Sequence, residues 1–183
     1  MSATARDLMS WPVTICRPWS TVNDAAHLMW TRDLGCVPVV DDSGALVGIV
    51  TDRDVCMAAY TRGAALPAIL VEVAMSRVIV SCGPDDDVEV LLERMAQHKV
   101  RRVPVVDEGG GLVGIVSLCD LVRRATPDPR DSLGISSEAV LQTLEAICAP
   151  TWDVDDDLDA WEDDGGASTG VWLRVGGEAW ASR

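Results

Sequence analysis

A chain of 183 residues, 48% of them hydrophobic, is long enough to bury an ordinary core, and it carries a formal net charge of −14. That charge repels the phosphate backbone of nucleic acids, and no apolar run reaches the roughly 20 residues that a membrane-spanning helix needs. We therefore expect no nucleic-acid partner and no membrane contact, and the lack of a signal-peptide pattern at the amino terminus predicts a cytoplasmic protein.

The chain contains an internal repeat, in which residues 9–55 align without a gap with residues 75–121. The agreement is closest where VPVVDDSGALVGIVTDRD (37–54) matches VPVVDEGGGLVGIVSLCD (103–120). A repeat of this kind determines the architecture, so both copies are predicted to fold alike.

Each copy begins with a short β-rich run, at residues 13–16 and 78–81, followed by an amphipathic helix. The helices are predicted from apolar residues spaced i, i+3, i+4 and i+7. These residues are Val22, Ala25, Ala26 and Met29 in the first copy, and Val88, Leu91, Leu92 and Met95 in the second. Ser20 or Thr21 is suited to cap the first helix, and Asp86 with Glu89 the second.

Two apolar runs joined by a polar turn come next, and their lack of alternation predicts strands buried on both faces. A final helix is predicted from Thr51 to Arg62, and its equivalent from Ser117 to Arg124. The predicted fold class is α/β (α+β), with the unit βαββα occurring twice.

We expect a first domain at 1–66, a second at 67–126, and a linker with an amphipathic helix at 127–150. The joining segment, 63–74, is predicted to contain a short helix. Residues 151–183 form an acidic tail, which its charge predicts to be disordered, although it also contains tryptophans.

The segments GIVTDRD (48–54) and GIVSLCD (114–120) resemble the nucleotide-binding signature of CBS (cystathionine-β-synthase) domains: Gly, two apolar residues, Thr or Ser, two variable residues and Asp. With the VPVVD strands and the βαββα order, the resemblance covers residues 6–126. It extends to small bacterial stand-alone two-CBS proteins of the hypoxic response type through RDLM, TDRD, VRRVPV and AICAP.

The resemblance implies two motifs packed through their sheets as one pseudo-twofold module with two clefts, and modules that pair as homodimers. It also implies a non-catalytic regulatory protein of stress signalling that binds an adenosine-type nucleotide reversibly and acts on an unknown regulated protein. AMP, ADP, ATP, S-adenosylmethionine and NAD(H) are all candidate ligands, and no covalent cofactor or metal is implied. The first cleft would use Thr14, Leu34, Val37, Pro38, Thr51 and Asp54. The second would use Val80, Val100, Arg101, Val103, Pro104, Ser117 and Asp120.

The signature also has a purely structural interpretation, because Thr51 with Asp54 and Ser117 with Asp120 match a helix capping box. Spacing alone leaves both interpretations open, and the family resemblance favours a nucleotide in at least one cleft. A carboxylate can accept two hydrogen bonds from a ribose diol. The start of the final helix is expected to offer N–H groups to phosphate.

A dense basic cluster precedes the second VPVV strand and consists of His98, Lys99, Arg101 and Arg102. It is either a phosphate clamp or a group of cations at a helix carboxyl terminus. Two other functions stay open: a ligand-free structural or interaction protein, and a thiol-based stress-response protein using Cys16 and Cys82. The two histidines have no matched acid or nucleophile, so an enzyme is not predicted. The six cysteines lack zinc spacing and are predicted to be small buried residues.

Overall fold

The computed structural model describes residues 3–125 and 135–150. The elements in chain order are α1 (Ala5–Leu8), α2 (Val22–Arg32), β1 (Cys36–Val40), β2 (Leu46–Thr51), α3 (Asp52–Arg62), a 3-10 turn (Leu66–Ala68), α4 (Val71–Ala74), α5 (Val88–His98), β3 (Arg102–Val106), β4 (Leu112–Ser117), α6 (Leu118–Arg124) and α7 (Ser137–Cys148). The acidic tail lies outside the described residues. Across 3–125 and 135–150, no helix is long and apolar enough to cross a membrane.

The predicted mixed fold with two repeats is confirmed. In the first repeat, β1 pairs with β2 as an antiparallel hairpin in which Cys36 lies opposite Thr51. In the second, β3 pairs with β4 in the same register, and Arg102 lies opposite Ser117. Both hairpins have an irregularity at the same place, after Val39 and after Val105, so the repeat is preserved at the level of individual strand pairs.

The β-rich run that opens each copy does not form a strand. In the first copy its last residue, Cys16, makes one parallel bridge, to Val39. In the second copy the equivalent bridge is made by Cys82, which directly follows the run, and goes to Val105. A parallel ladder would continue through the N–H of residue 18, but that residue is a proline and has no N–H to donate. The guanidinium of Arg17 instead donates to the Val40 carbonyl at 3.3 Å, which satisfies the acceptor that Pro18 leaves open.

The helices that follow begin in different ways. Thr21 caps α2 as predicted, since its side chain accepts a hydrogen bond from the Asp24 N–H. The prediction that Asp86 caps α5 is wrong, because the N-cap residue is Asp87. The Asp86 carboxylate accepts from the Gly83 N–H at 3.0 Å and pairs with Arg94 at 3.0 Å, so it secures the preceding turn.

The first residues of each repeat pack on the hairpin of the other repeat. Ser10 bridges to Ile115 of β4, and Ser76 bridges to Ile49 of β2. The approach is close: a Cβ added to Gly114 would lie 2.3 Å from the Met9 sulfur. Gly48 has the same relation to Met75, at 2.4 Å, so the glycine of each signature allows the two repeats to pack together.

The hydrophobic clusters show the same exchange of segments, in which residues at the start of one repeat pack in the core of the other. Ala5 and Leu8 of α1 are buried in the cluster of the second repeat, with Leu91 and Val103. Val71 of the joining segment and Met75, the first residue of the second repeat, are buried with the core of the first repeat, which includes Val37. Neither half of the chain therefore completes its core alone.

The predicted carboxyl-terminal helix is present as α7, which packs on α5 and α6. Val140, Thr143 and Ile147 form its buried face. The ammonium group of Lys99 donates to the Ala149 carbonyl at 2.8 Å, which fixes the end of α7 beside the end of α5.

Candidate functional site

Each repeat forms a corner where its first strand begins, its second strand ends and the final helix begins. In the first repeat the Gly35 carbonyl accepts from the Asp52 N–H at 3.4 Å, which joins the start of β1 to the start of α3. In the second, the Arg101 carbonyl accepts from the Leu118 N–H at 2.9 Å. These equivalent corners contain Thr51 and Asp54, and Ser117 and Asp120, respectively.

Both signature acids take part in capping boxes. One carboxylate oxygen of Asp54 accepts from the Thr51 N–H at 2.8 Å and from its hydroxyl at 2.7 Å. Asp120 accepts from Ser117 in the same way, at 2.9 and 2.6 Å. The predicted capping boxes are therefore present at the start of α3 and of α6. Their presence leaves room for a second role of the same acids.

The same box occurs where no cleft is predicted. Asp24 accepts from the Thr21 N–H at 2.9 Å and from its hydroxyl at 2.8 Å, and Asp7 accepts from Thr4 at 3.0 and 2.8 Å. The hydrogen bonds from Thr21 hold the pKa of Asp24 below its usual range. A Ser/Thr-x-x-Asp box alone thus does not mark a binding site. The signature boxes differ in following a hairpin strand, β2 or β4, and in having half-buried acids. These two strands are buried only at Gly48 and Val50 and at Gly114 and Val116, so the prediction that both strands of each hairpin are buried on both faces is wrong for them.

The second oxygen of each signature carboxylate lies outside the cap. Among the described residues, Oδ1 of Asp54 accepts no hydrogen bond. Oδ1 of Asp120 lies 3.7 Å from the guanidinium of Arg123, whose side chain is 78% exposed, so the contact is weak. Each acid consequently has acceptor capacity left for a hydroxyl group of a ligand.

The expectation that the start of α3 offers N–H groups to a phosphate is wrong. The Asp52 N–H is bound by Gly35, the Arg53 N–H donates to the Asp52 carboxylate at 2.8 Å, and the Asp54 N–H donates to the Thr51 hydroxyl at 3.2 Å. Because the first turn is satisfied within the chain, any phosphate at this corner would depend on cationic side chains.

The apolar candidates fall into two groups. Val37 and Val103 are fully buried in the two cores, and the adjacent Pro38 and Pro104 are also buried, so only their backbone is suited to contact a ligand. The second group has partly exposed side chains, and it consists of Leu34, Val80 and Val100. Thr14, the position equivalent to Val80, is also partly exposed.

The basic cluster is divided among three places. Lys99 caps α5 in the left-handed conformation, with φ 51°, and binds the end of α7. Arg101 is exposed. Arg102 reaches across to the first repeat, where a Cβ added to Gly35 would lie 3.0 Å from its guanidinium. The sequence pattern could not separate these roles, since the four residues are near neighbours in the chain.

A pocket of about 520 Å³ opens beside the first corner. Its walls come from α2, from the two residues that follow α2, and from α3: Ala26, Met29, Trp30, Asp33, Leu34, Asp52, Val55 and Cys56. Of the residues predicted to bind a ligand, only Leu34 lines it. A second pocket, of about 600 Å³, is lined by Asp85, Asp86, Asp107 and Glu108, with Arg6 and Arg94 already paired to two of these acids. Its charge makes it unsuited to a phosphate.

All six cysteines are free, and the structure separates them into two sets. Burial raises the pKa of Cys16, Cys36 and Cys82 to about 11. Cys56, Cys119 and Cys148 are exposed. The prediction that the cysteines are buried holds for the first set and is wrong for the second.

We expect iodoacetamide at pH 7.5 to label the exposed cysteines of the folded protein and to spare the buried ones. A pKa near 11 leaves these thiols protonated at that pH, and only the thiolate reacts. Peptide mass spectrometry measures the labelled fraction at each cysteine, with the urea-unfolded protein as the control. Labelling of Cys16 or Cys82 as fast as Cys56 in the folded protein would contradict this prediction.

Within 3–125 and 135–150, no group of three or more His, Cys, Asp or Glu side chains is placed to hold a metal ion.

Comparison with known proteins agrees with the sequence signature. Hypoxic response protein 1 of Mycobacterium tuberculosis is 31% identical over 147 residues, which cover 80% of this chain and 95% of that protein. A solved structure of Hypoxic Response Protein I with two coordinated zinc ions superposes with a TM-score of 0.62 at 32% identity, covering 68% of this chain and all of that one.

Two further solved structures contain nucleotides or related ligands. CBSX2 in complex with AMP superposes with a TM-score of 0.61 at 26% identity, over 67% of this chain and 95% of that chain. The CBS domain pair of MJ0100, in complex with 5′-methylthioadenosine and S-adenosyl-L-methionine, superposes with a TM-score of 0.60 at 27% identity. The match covers 67% of this chain and 95% of that chain.

The family model for the CBS domain matches twice, at residues 5–60 and 70–126. The two matches cover more than half of the chain and coincide with the repeated hairpins and their signature corners. The chain therefore belongs to the CBS domain family and carries two such domains in tandem.

Proposed function

We propose that this protein is a non-catalytic regulatory module that binds an adenosine-type nucleotide at one or both signature corners. The observation that carries the proposal is the pair of half-buried carboxylates, Asp54 and Asp120, each with one oxygen outside its cap. The complexes of CBSX2 with AMP and of the MJ0100 pair with adenosine derivatives support the class of ligand.

In the proposed complex, the free oxygen of each acid accepts hydrogen bonds from the ribose hydroxyls. The adenine ring lies against the partly exposed apolar side chains at each corner, Leu34 in the first and Val100 in the second. The buried Val–Pro pairs below them contribute backbone groups. Thr14 and Val80 occupy equivalent places ahead of the first bridge of each repeat and complete the proposed sites.

Phosphate groups need local cations, because the chain as a whole has a net charge of −14. Arg53 and Arg101 are exposed near the first and second corners. Arg102 starts in the second repeat but lies over Gly35 of the first, so it would serve a phosphate at the first corner. Lys99 is excluded from this role as long as it holds the end of α7.

A second candidate function is a ligand-free interaction protein. The observation that favours it is the Thr21–Asp24 box, which has the geometry of the signature boxes without a cleft. In that case Asp54 and Asp120 serve only as caps. The thiol-based function is less well supported, because Cys16 and Cys82 are buried with raised pKa values.

The proposal includes a reducing compartment, the cytoplasm, which agrees with six free cysteines. It also includes self-association as a homodimer and an unidentified protein whose activity changes when the nucleotide binds. An enzyme activity is not proposed.

Thermal unfolding with AMP, ADP, ATP, S-adenosylmethionine and NADH tests the proposal. A nucleotide present at about 100 times its Kd should stabilise the protein by about 2.7 kcal/mol. Guanosine and inorganic phosphate are the controls for the base and for charge alone. No stabilisation by any member of the panel at millimolar concentration would favour the ligand-free alternative.

A further inference from the structure

The same backbone arrangement occurs once in each repeat, where a one-turn helix meets the turn that precedes the amphipathic helix. In the first repeat, the Glu72 N–H of α4 donates to the Pro18 carbonyl at 3.0 Å. In the second, the Arg6 N–H of α1 donates to the Pro84 carbonyl at 2.9 Å. Because the backbones match, the side chains on the two surfaces can be compared position by position.

The surface of the second repeat is polar, and its charged groups are paired within the chain. The guanidinium of Arg6 lies 3.1 Å from the carboxylate of Asp85. The carboxylate of Asp7 accepts from the N–H and the hydroxyl of Thr4, at 3.0 and 2.8 Å. These four side chains therefore satisfy one another.

The surface of the first repeat is apolar at the equivalent positions. The apolar residues are Trp19, Leu70 and Val73, which correspond to Asp85, Thr4 and Asp7 of the second repeat. Their exposed fractions are 54%, 38% and 46%, in that order. The three lie together, because Trp19 directly follows the proline that binds α4, and the Val73 N–H donates to the Leu70 carbonyl at 3.2 Å.

An unpaired carboxylate lies among these apolar side chains. Glu72 takes the position of Arg6, and it is exposed. Over residues 3–125 and 135–150 its carboxylate takes part in no ion pair. Arg17 is close in the chain, but its guanidinium donates to the carbonyls of Val40 and Asp41. We call this surface the Trp19 patch and define it by Trp19, Leu70, Glu72 and Val73.

The patch combines the groups that recognise a basic side chain with an apolar neighbour. A cation of arginine or lysine is attracted to the face of an indole ring, as in Trp19. The same cation forms a charge-assisted hydrogen bond with a carboxylate, here that of Glu72. Aliphatic side chains next to the cation would cover Leu70 and Val73. The net charge of −14 also draws a basic partner toward the protein.

We infer that the Trp19 patch binds a segment of another protein in which an arginine or lysine lies beside aliphatic residues. The inference rests on the regulated protein in the proposed function and names the surface that contacts it. The patch contains no residue of either signature corner, so the partner and the nucleotide bind to different groups of the chain.

A displayed library of random peptides, selected on the immobilised protein, tests the inference. The comparison protein is the Trp19→Asp, Glu72→Arg double variant, which copies Asp85 and Arg6 onto the first repeat. That ion pair already exists on the same backbone in the second repeat, so the variant is expected to fold. The parent, and not the double variant, should enrich peptides with arginine or lysine next to aliphatic residues.

Fluorescence anisotropy with the most enriched peptide then measures each single variant. Trp19→Asp and Glu72→Arg should each raise the Kd by about tenfold or more, as for residues at the centre of an interface. Val78→Asp is the control, because Val78 is 86% exposed but lies outside the patch, and it should leave the Kd unchanged. A peptide whose basic residue is replaced by glutamate should bind Glu72→Arg more tightly than it binds the parent.

Melting temperatures equal to that of the parent confirm that the variants are folded. Failure of the parent to enrich any peptide over the double variant would overturn the inference, and so would a peptide whose Kd neither single variant changes. If Trp19→Asp alone alters the sedimentation of the protein, a second copy covers the patch and the inference is wrong. The double variant keeps both corners, so its nucleotide binding separates a failure of the patch from a failure of the ligand proposal.

Discussion

Replacing Asp54 and Asp120 by alanine is expected to weaken nucleotide binding by about 10- to 150-fold at each corner. The estimate corresponds to the loss of a hydrogen bond to a charged group, about 1.5 to 3 kcal/mol. Titration calorimetry with the tightest nucleotide of the panel measures each variant and the double variant.

The two acids also cap helices, so loss of the cap must be separated from loss of the ligand contact. Asp24→Ala is a matched control, because Asp24 has the same box with Thr21 and lies at the start of α2. Each of the three single variants should lose a similar amount of stability, because each removes the N3 carboxylate of a capping box. Only Asp54→Ala and Asp120→Ala should also lose nucleotide affinity.

Two results would contradict this account. If all three variants bind as tightly as the parent, the signature acids are caps and nothing more. If Asp24→Ala weakens binding as much as the other two, the effect comes from helix stability and not from a contact with ribose.

The second large effect concerns the amino-terminal segment. Leu8→Ala is expected to lower the free energy of unfolding by about 2 to 5 kcal/mol, the usual cost of truncating a buried leucine. Leu8 is 1% exposed and lies in the cluster of the second repeat, although it precedes the first repeat in the chain. Urea unfolding followed by circular dichroism measures the change.

Leu70→Ala is the control, since Leu70 lies in the joining segment but is 38% exposed. It should cost far less than Leu8→Ala. Equal and small losses for the two variants would show that residues before the first repeat add little to the core, and that the exchange of segments between repeats is not a source of stability.

The sequence was sufficient for features that depend on local pattern. The apolar spacing of Val22, Ala25 and Met29 predicts α2, and all three are buried in the structure. The Gly–Asp signature correctly indicated the corners of both repeats, because a strand end, a cap and a helix start are encoded within a few residues.

Features that depend on distant contacts could not be predicted. The carbonyl of Val40 accepts from Arg17 because Pro18 cannot donate, and only the strand register shows which carbonyl is affected. The place of Leu8 in the second repeat depends on the approach of Met9 to Gly114, more than 100 residues away. The separation of Lys99 from Arg102 depends on where α7 ends.

The most direct test of the proposed function compares AMP with 2′-deoxy-AMP, using calorimetry on the parent and on the Asp54→Ala, Asp120→Ala double variant. If the carboxylates bind the ribose diol, the parent should prefer AMP by about tenfold or more, the value of one charge-assisted hydrogen bond. The double variant should bind both nucleotides weakly and with equal affinity. A parent that binds neither nucleotide, or both with the same affinity, would contradict the assignment of Asp54 and Asp120 to a nucleotide site.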